Sequence, residues 1–376
     1  MQKIKRRRFI QLNLMGSLGL MLPRCGRSQQ IPAYLKDYAA VYEKDAKQAA
    51  LTWFREAQFG MFVTYGLFSL LKRGEWVMYH DKIHVREYEK LAERFTAEKF
   101  DADLVTDLAC RARMNYVLIT ARFHDGFCLW DTNTTDFNVM NTPARRDLVA
   151  ELSEQCRKKG LGFFIYYSYG LDWRHPYFFP RTYSRYARPD YARSEPTYRW
   201  QNDADFQIYI HDCHAQIKEL LRNYGPIACM WFDPIMPYYA RPDLFPIKET
   251  YALIRSLQPH TLITYKQGAT GDEDFAAPER RAGSLRERVT QELGPEHAAV
   301  AQRAWEKNKH KHNEICDTLQ PRAWGYNEAD DGRHKNKDQV IDMLKKADRQ
   351  NCNLILNTGP LPDGSIVKAD VDTLTQ

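Results

Sequence analysis

Four apolar runs of the sequence each end in a polar, aromatic-rich stretch. These stretches are 122–127, 168–176, Asp233-Pro234 and Lys266-Gln267. If the runs are parallel strands, their carboxyl ends meet on one face of the fold, where α/β barrels place their active sites. Aromatic rings with a few polar groups suit a sugar, which has apolar ring faces and hydroxyl edges. The pattern predicts a carbohydrate site in which Asp233 is the leading catalytic candidate.

Short apolar runs alternate with amphipathic helical stretches over most of the chain. The predicted strands are 59–63, 116–120, 161–167, 227–232, 261–265 and 353–356, and the predicted helices are 102–113, 146–159, 205–223, 246–257 and 337–349. Nearly continuous apolar strands that alternate with helices are typical of a parallel sheet covered on both faces. We therefore predict an α/β fold, an irregular (β/α)8-type TIM barrel. Its two remaining strands are expected in the less regular parts of the chain.

The predicted domain organisation has three parts. Residues 1–28 are an export leader, residues 29–50 a tether and leading helix, and residues 51–376 the catalytic barrel. Within the barrel, 268–322 is the least regular stretch and is expected to form a long rim loop with one or two helices. The sequence stops inside what reads as the last barrel helix, so no C-terminal β-sandwich is expected.

The positive charge of the chain is concentrated at its start. The chain has 54 Lys and Arg against 48 Asp and Glu, and six of the basic residues but no acidic one lie in the first 24 positions. The remainder is balanced, which argues against nucleic acid as a partner. A basic stretch before the apolar run 9–22 is typical of an export signal, with a twin-arginine resemblance at Arg6-Arg7. We predict a periplasmic or cell-surface protein.

Cys25 follows that apolar run at the place of a lipoprotein cysteine. Lipidation there would tether the protein to a membrane, although Arg24 stands where small residues are usual, and a plain cleaved signal peptide is the alternative. The other cysteines mostly adjoin apolar residues and show no C-x-x-C spacing, so buried small hydrophobes are expected rather than a zinc site or a disulfide framework, with one or two bridges as the alternative. No cofactor and no metal are predicted.

Six segments, in this order, together resemble the α-L-fucosidase family, glycoside hydrolase family 29. They are Phe59-Gly-Met-Phe62, Gly74-Glu-Trp76, His124-Asp-Gly-Phe127, Trp231-Phe-Asp233, Trp324-Gly-Tyr326 and Asn353-Leu-Ile-Leu-Asn-Thr-Gly-Pro360. The resemblance runs from about residue 53 to residue 366. It implies a retaining glycosidase acting on α-L-fucosides or a closely related sugar, with a fucosylated or related glycan as substrate.

The resemblance also implies a two-carboxylate mechanism. Asp233 matches the family nucleophile, which a retaining enzyme places about 5 to 5.5 Å from its acid/base. Glu279 and Glu314 match the acid/base positions of different family members, and Glu273 is a third candidate. Glu279 is preferred over Glu314, and a distance to Asp233 is needed to choose.

Substrate-binding residues follow from the same resemblance. Glu75 and Trp76 match residues that contact the sugar, and Trp76 would cover the methyl group of fucose. His124 matches a histidine that binds a sugar hydroxyl. Tyr167 matches a strand-end tyrosine of the pocket, and Trp231 is expected in the barrel wall beside the nucleophile.

Two positions depart from the family pattern. Thr64 stands where members usually have a histidine, and Phe123 replaces the first of two adjacent histidines. Both lost histidines are expected to bind hydroxyls, at a combined cost of roughly 2 to 4 kcal/mol, or about 30-fold to 1,000-fold in affinity. Three interpretations follow: a poor fucosidase, an enzyme for a related sugar such as a substituted fucose or L-galactose, or a non-catalytic carbohydrate-binding barrel.

A metal-dependent hydrolase is a further alternative. His211 and His214 have the spacing of one helix face, but they lie in the middle of a predicted helix, far from the strand ends. An ordinary surface pair is expected. Asp233 and its candidate acids favour the enzyme over the binding protein.

Overall fold

Seven parallel strands form one curled sheet in the structure, a computed structural model that describes residues 30–376. They are β1 (Phe59–Val63), β2 (Tyr116–Arg122), β3 (Gly162–Ser168), β4 (Cys229–Asp233), β5 (Leu262–Tyr265), β6 (Asn313–Thr318) and β7 (Cys352–Thr358). Their order across the sheet is β5-β4-β3-β2-β1-β7-β6. The predicted leader 1–28, including Cys25, lies outside the described residues.

An extended segment, 274–280, lies between the two outer strands and closes the barrel. On one side, Asp274 N–H donates to Ile263 O of β5 at 2.8 Å and Ala277 N–H to Lys266 O at 2.7 Å. On the other side, Glu314 N–H of β6 donates to Ala276 O at 2.9 Å. This eighth segment therefore takes the place of a strand, and the predicted (β/α)8-type fold is confirmed.

The expected rim loop 268–322 is wrong in one part, because strand β6 lies within it. The sequence of β6, Asn-Glu-Ile-Cys-Asp-Thr, carries four polar side chains, which is unusual in a buried parallel strand. Asn313 and Glu314 are nevertheless buried, because their side chains find hydrogen-bond partners inside the barrel. The six strands predicted from apolar runs all exist, with ends that differ by a few residues.

Residues 30–376 contain thirteen α-helices and several short 3-10 helices. The α-helices are α1 (Ala39–Tyr42), α2 (Ala46–Ala57), α3 (Val77–His80), α4 (Val85–Glu89), α5 (Ala102–Arg111), α6 (Leu148–Lys159), α7 (Phe206–Asn223), α8 (Met236–Ala240), α9 (Ile247–Leu257), α10 (Arg286–Leu293), α11 (Pro295–Asn308), α12 (Lys337–Arg349) and α13 (Lys368–Thr375). Side-chain caps fix several starts, since Asp101 and Asp147 accept backbone N–H groups of α5 and α6. All five predicted helices, the first at 102–113 and the last at 337–349, are confirmed. No described helix is long and apolar enough to cross a membrane.

Helix α2 covers the amino ends of the strands. Phe54 stacks on Phe275 of the eighth segment with ring centroids 4.2 Å apart, and it also contacts Tyr116 and Phe164 at the starts of β2 and β3. Residues 32–376 form one compact unit that includes this helix. The opposite end of the barrel, where the strands have their carboxyl ends, is open.

Two helices of the predicted rim loop, α10 and α11, lie between the eighth segment and β6. The loop also contains Glu273, whose carboxylate accepts the backbone N–H groups of Ala269, Thr270 and Gly271 at 2.8 to 3.1 Å. The sequence expectation of one or two helices here is confirmed. Glu273 organises this turn and does not line the open end of the barrel.

Candidate active site

A cavity of about 520 Å³ opens at the carboxyl ends of the strands. Its walls come from β1 to β5, from the eighth segment and from the loop after β6. Representative lining residues, in that order, are Phe62, His124, Tyr166, Asp233, Lys266, Glu279 and Trp324. Rings form most of the floor: Trp231 stacks on Tyr166 with centroids 5.5 Å apart, and Phe62 lies 6.1 Å from Trp231. Such a floor fits the apolar face of a sugar ring.

Asp233 is the last residue of β4, and it lines this cavity. Tyr166 donates its hydroxyl to Oδ2 at 2.7 Å, and Nζ of Lys266 lies 3.3 Å from Oδ1. The side chain is 11% exposed. Burial raises the pKa of Asp233, and the nearby Lys266 cation opposes that shift. A carboxylate at a strand end that lines the cavity has the position that a nucleophile needs.

Glu279 lies across the cavity from Asp233, on the eighth segment. Its Oε1 is 2.5 Å from the same Lys266 nitrogen, so the two carboxylate oxygens are at most about 5.8 Å apart, which fits the roughly 5 to 5.5 Å of a retaining pair. The Lys266 cation lowers the pKa of Glu279 below its usual range. Glu279 is 45% exposed, so an incoming ligand can reach it.

Glu314 does not line the cavity, so the structure contradicts its prediction as an acid/base candidate. It is fully buried on β6, where Tyr116 donates to Oε2 at 2.7 Å and the Trp231 indole donates to Oε1 at 2.9 Å. Since Trp231 itself lines the cavity, Glu314 lies behind that ring. Burial raises the pKa of Glu314 to about 7.

Lys266 follows β5, and the sequence marks it only as a polar residue at a strand end. Its ammonium lies 4.8 Å from the ring centre of Trp231 and 5.9 Å from that of Trp324. Contact with Asp233 and Glu279 raises the pKa of Lys266 despite its burial, so it is a cation. Its place after a strand indicates a residue of the site, but its ion pairs with Asp233 and Glu279 are visible only in the structure.

His124 lies beside the nucleophile in a fixed orientation. Nδ1 is 2.7 Å from the Ser168 hydroxyl, and Nε2 points toward Oδ2 of Asp233 at 3.8 Å. Burial lowers the pKa of His124 well below its usual range, so the ring is neutral. A neutral imidazole can donate to or accept from a sugar hydroxyl.

Glu75 and Trp76 both line the cavity. Oε2 of Glu75 accepts the backbone N–H groups of Trp324 and Gly325, each at 2.9 Å. Glu75 thereby holds the loop after β6 against the cavity. Trp76 packs edge-on against His124, with ring centroids 5.2 Å apart, and forms the wall above that histidine.

The two departures from the family pattern form an apolar part of the wall. The Thr64 hydroxyl lies 2.5 Å from Oδ1 of Asn357 and is buried. Phe123 stacks on His124 with centroids 3.9 Å apart. Both residues line the cavity, but the hydrogen of the Thr64 hydroxyl is already donated and the Phe123 ring has none to offer.

Tyr167 is not in the cavity, and this corrects its predicted role. Successive side chains of a strand point to opposite faces, so Tyr166 faces the interior and Tyr167 faces the helices. There Tyr167 donates to Gln216 of α7 at 2.7 Å and lies under the Arg122 guanidinium. Apolar periodicity cannot tell which of two adjacent tyrosines faces inward when both faces of the strand are buried.

The rim of the cavity contains residues that the sequence did not single out. Tyr186 and Arg288 both line the cavity, and Arg288 donates a hydrogen bond of 3.0 Å to the Tyr186 hydroxyl. Arg280 follows the eighth segment and is exposed there.

The described residues contain no group of three or more His, Cys, Asp or Glu side chains that could hold a metal ion. His211 is 83% exposed, and His214 lies 2.8 Å from the Thr250 hydroxyl. The seven cysteines between residues 30 and 376 are free, and all but Cys110 are buried. The two histidines are thus an ordinary pair on α7.

Comparison with known proteins identifies the family of this barrel. The family model described as alpha-L-fucosidase matches residues 27–376. The chain belongs to the α-L-fucosidase family. It is 24% identical over 366 residues to tissue alpha-L-fucosidase of Bos taurus, covering 89% of this chain and 67% of the bovine protein. This fucosidase-family chain is a glycosidase, as its sequence predicted.

Solved structures of fucosidases share the fold. Alpha-L-fucosidase isoenzyme 1 of Paenibacillus thiaminolyticus is 31% identical, with a TM-score of 0.71 over 88% of this chain and 74% of that one. Alpha-L-fucosidase AlfC of Lactobacillus casei, solved in complex with its α-L-fucose product, is 28% identical, with a TM-score of 0.67 over 86% of this chain and 96% of that one. The non-catalytic alternative is not favoured by these relatives.

Proposed function

We propose that this chain hydrolyses α-L-fucosides with retention, using Asp233 as nucleophile and Glu279 as acid/base. The observation that carries the assignment is the pair of carboxylates held by Lys266, with oxygens no more than about 5.8 Å apart at one end of an aromatic cavity. Glu314 lacks access to that cavity, which supports Glu279 as the acid.

The two steps follow from the positions of these groups. Asp233 attacks the anomeric carbon while Glu279 gives its proton to the glycosidic oxygen, which releases the aglycone and leaves a fucosyl ester on Asp233. Glu279, now a carboxylate, then removes a proton from water. That water attacks the same carbon, breaks the ester and frees Asp233.

His124 and Glu75 are proposed to bind sugar hydroxyls, and Trp76 and Trp231 to contact apolar parts of the ring. Tyr166 replaces Tyr167 in this set, because its hydroxyl holds Oδ2 of Asp233 and its ring faces the cavity. In the free enzyme Lys266 keeps Glu279 ionised. Substrate must therefore weaken that contact before Glu279 can act as an acid.

Azide rescue of two variants tests the assignment of both carboxylates. In Asp233→Gly, azide replaces the nucleophile and an activated aryl α-L-fucoside gives the β-fucosyl azide. In Glu279→Ala, azide attacks the fucosyl ester on Asp233 and gives the α-fucosyl azide. The product of each variant is identified by NMR. Wild-type turnover in Asp233→Asn, or rescue products of the opposite anomers, would refute the assignment.

We also propose that the chain is exported and that Cys25 is lipidated. The support is the basic start and apolar run of residues 3–22, which lie outside the described residues. Expression of the full chain in a bacterial host, followed by fractionation and mass analysis of the amino terminus, tests this. A diacylated amino terminus at Cys25 that is lost in Cys25→Ala is expected; an uncleaved chain in the cytoplasm contradicts export.

A further inference from the structure

One ammonium group lies between the two carboxylates of the proposed catalytic pair. Nζ of Lys266 is 3.3 Å from Asp233 and 2.5 Å from Glu279. Between residues 30 and 376, no other lysine or arginine forms an ion pair with either carboxylate. The Lys266 side chain is 10% exposed, so water screens these two contacts weakly.

Other titratable groups surround the triad from every neighbouring element. They are Tyr166 on β3, His124 after β2, Cys316 on β6, Glu75 before α3, and Arg280 and Arg288 at the rim. His124 is neutral and Tyr166 donates a hydrogen bond, so neither supplies a second cation at Asp233. The two arginines act on Glu279 from further away, because they form no ion pair with it.

We propose that Lys266 is a positioning residue that holds Asp233 and Glu279 as one electrostatic unit and sets the pH range in which the pair works. This inference rests on the proposed function, since it assigns a role relative to its two carboxylates. The ammonium stabilises the ionised form of each carboxylate, because an opposite charge within about 4 to 6 Å favours ionisation.

Removal of the Lys266 cation should shift the pH profile of activity in one direction. Catalysis needs Asp233 ionised and Glu279 protonated, so activity falls at low pH and at high pH. Without Lys266, both carboxylates hold their protons to higher pH, and both limbs of the profile move upward. This result does not depend on which carboxylate governs which limb, because the pair titrates as a unit.

The test is the pH profile of kcat/KM on an aryl α-L-fucoside for wild type, Lys266→Met, Lys266→Gln and Lys266→Arg. For Met and Gln both limbs are expected to move up by about one to three pH units, and for Arg both are expected to stay near those of wild type. Arg280→Met, which removes an exposed rim cation, is the matched control and should shift the limbs less. A residue that only fills space would lower the rate and leave both limbs in place.

A second measurement covers variants that are too slow to assay. The carboxyl ¹³C signal of Glu279, identified by its absence in Glu279→Gln, is titrated in wild type and in Lys266→Met, with thermal unfolding confirming that both fold. A higher midpoint in Lys266→Met is expected, and an unchanged midpoint overturns the inference. Failure of the proposed function is distinct: wild type would then cleave no fucoside, or Asp233→Asn would remain active.

Discussion

The two glutamates on either side of Trp231 differ in pKa because they have different partners. Behind the ring, Glu314 has hydrogen bonds but no cation, and burial raises its pKa to about 7. Glu279 lies on the cavity side of the ring, where it forms an ion pair with Lys266. The Lys266 cation lowers the pKa of Glu279. The local partner, rather than the residue type, thus decides which carboxyl is charged.

Glu314 should make the fold less stable as pH rises. The unfolded chain loses this proton near pH 4.5 and the folded chain only near pH 7, so the penalty is absent at low pH, grows between the two values and is complete above pH 7. Relative to Glu314→Gln, we expect wild type to lose about 3 kcal/mol of unfolding free energy between about pH 4 and pH 8. Urea unfolding of both proteins across that range measures it, and a constant difference would contradict it.

Phe123 is the residue at which sugar binding should be easiest to improve. Its ring lies in the cavity wall without a hydrogen-bonding group, so a sugar hydroxyl facing it is left unpaired. Phe123→His supplies a donor, and we expect KM for an α-L-fucoside to fall by about 2-fold to 10-fold. Phe123→Leu, which adds no donor, is the control. Equal KM values for the two variants would show that no hydroxyl faces this position.

At the scale of elements, the eighth segment carries the acid and completes the barrel. It bonds to β5 and β6 through its backbone, yet Pro278 and its irregular pairing keep it from being a regular strand. The position of Glu279 therefore depends on backbone hydrogen bonds that flank it. Loss of one such bond should disturb both stability and catalysis.

Ala277 allows that dependence to be tested with a matched pair. Its N–H donates to Lys266 O at 2.7 Å, so Ala277→Pro removes the bond and should cost about 3 kcal/mol or more. Ala277→Gly keeps the N–H and should cost about 1 kcal/mol. Unfolding free energy and kcat are measured for both. We expect a large loss of kcat only in Ala277→Pro; equal losses would mean that the bond does not position Glu279.

At the scale of the whole molecule, the two ends of the barrel have separate tasks. The amino end is sealed by Phe54 and the rings around it, and the carboxyl end holds the cavity. In barrel enzymes the first end serves stability and the second catalysis. Substitutions at the sealed end should therefore change how much protein is folded but not how the folded protein works.

Phe54→Ala tests this separation. Truncating a buried phenylalanine should cost about 3 to 5 kcal/mol of unfolding free energy, measured by denaturant unfolding. At a temperature where the variant is folded, we expect kcat within a factor of about 2 of wild type, because the cavity is at the far end. Leu104→Ala, at a side chain that is 65% exposed, is the control and should cost less than about 0.5 kcal/mol. A large drop in kcat for Phe54→Ala would show that the two ends are coupled.

Local sequence features predict the family, the barrel and the position of Asp233 at the end of a strand. Apolar runs and their polar ends are local features, and each strand they predicted exists in the fold. Strand β6 was not predictable in this way, because its polar residues are buried only through partners that are distant in the chain. The same holds for the eighth segment, whose bonding partners lie on two other strands.

Which residues face the cavity depends on how the strands pack in the closed barrel. Tyr166 rather than Tyr167 lines the cavity, since the direction of a side chain depends on the pleat of the strand within the closed barrel. Glu279 rather than Glu314 lines the same cavity as Asp233, since the Trp231 ring lies between Glu314 and the cavity. Closure of the barrel brings β4, β5 and the eighth segment together, and this places Lys266 beside Asp233 and Glu279. Such ion pairs cannot be read from the sequence, because their energy depends on distance in space and not on distance along the chain.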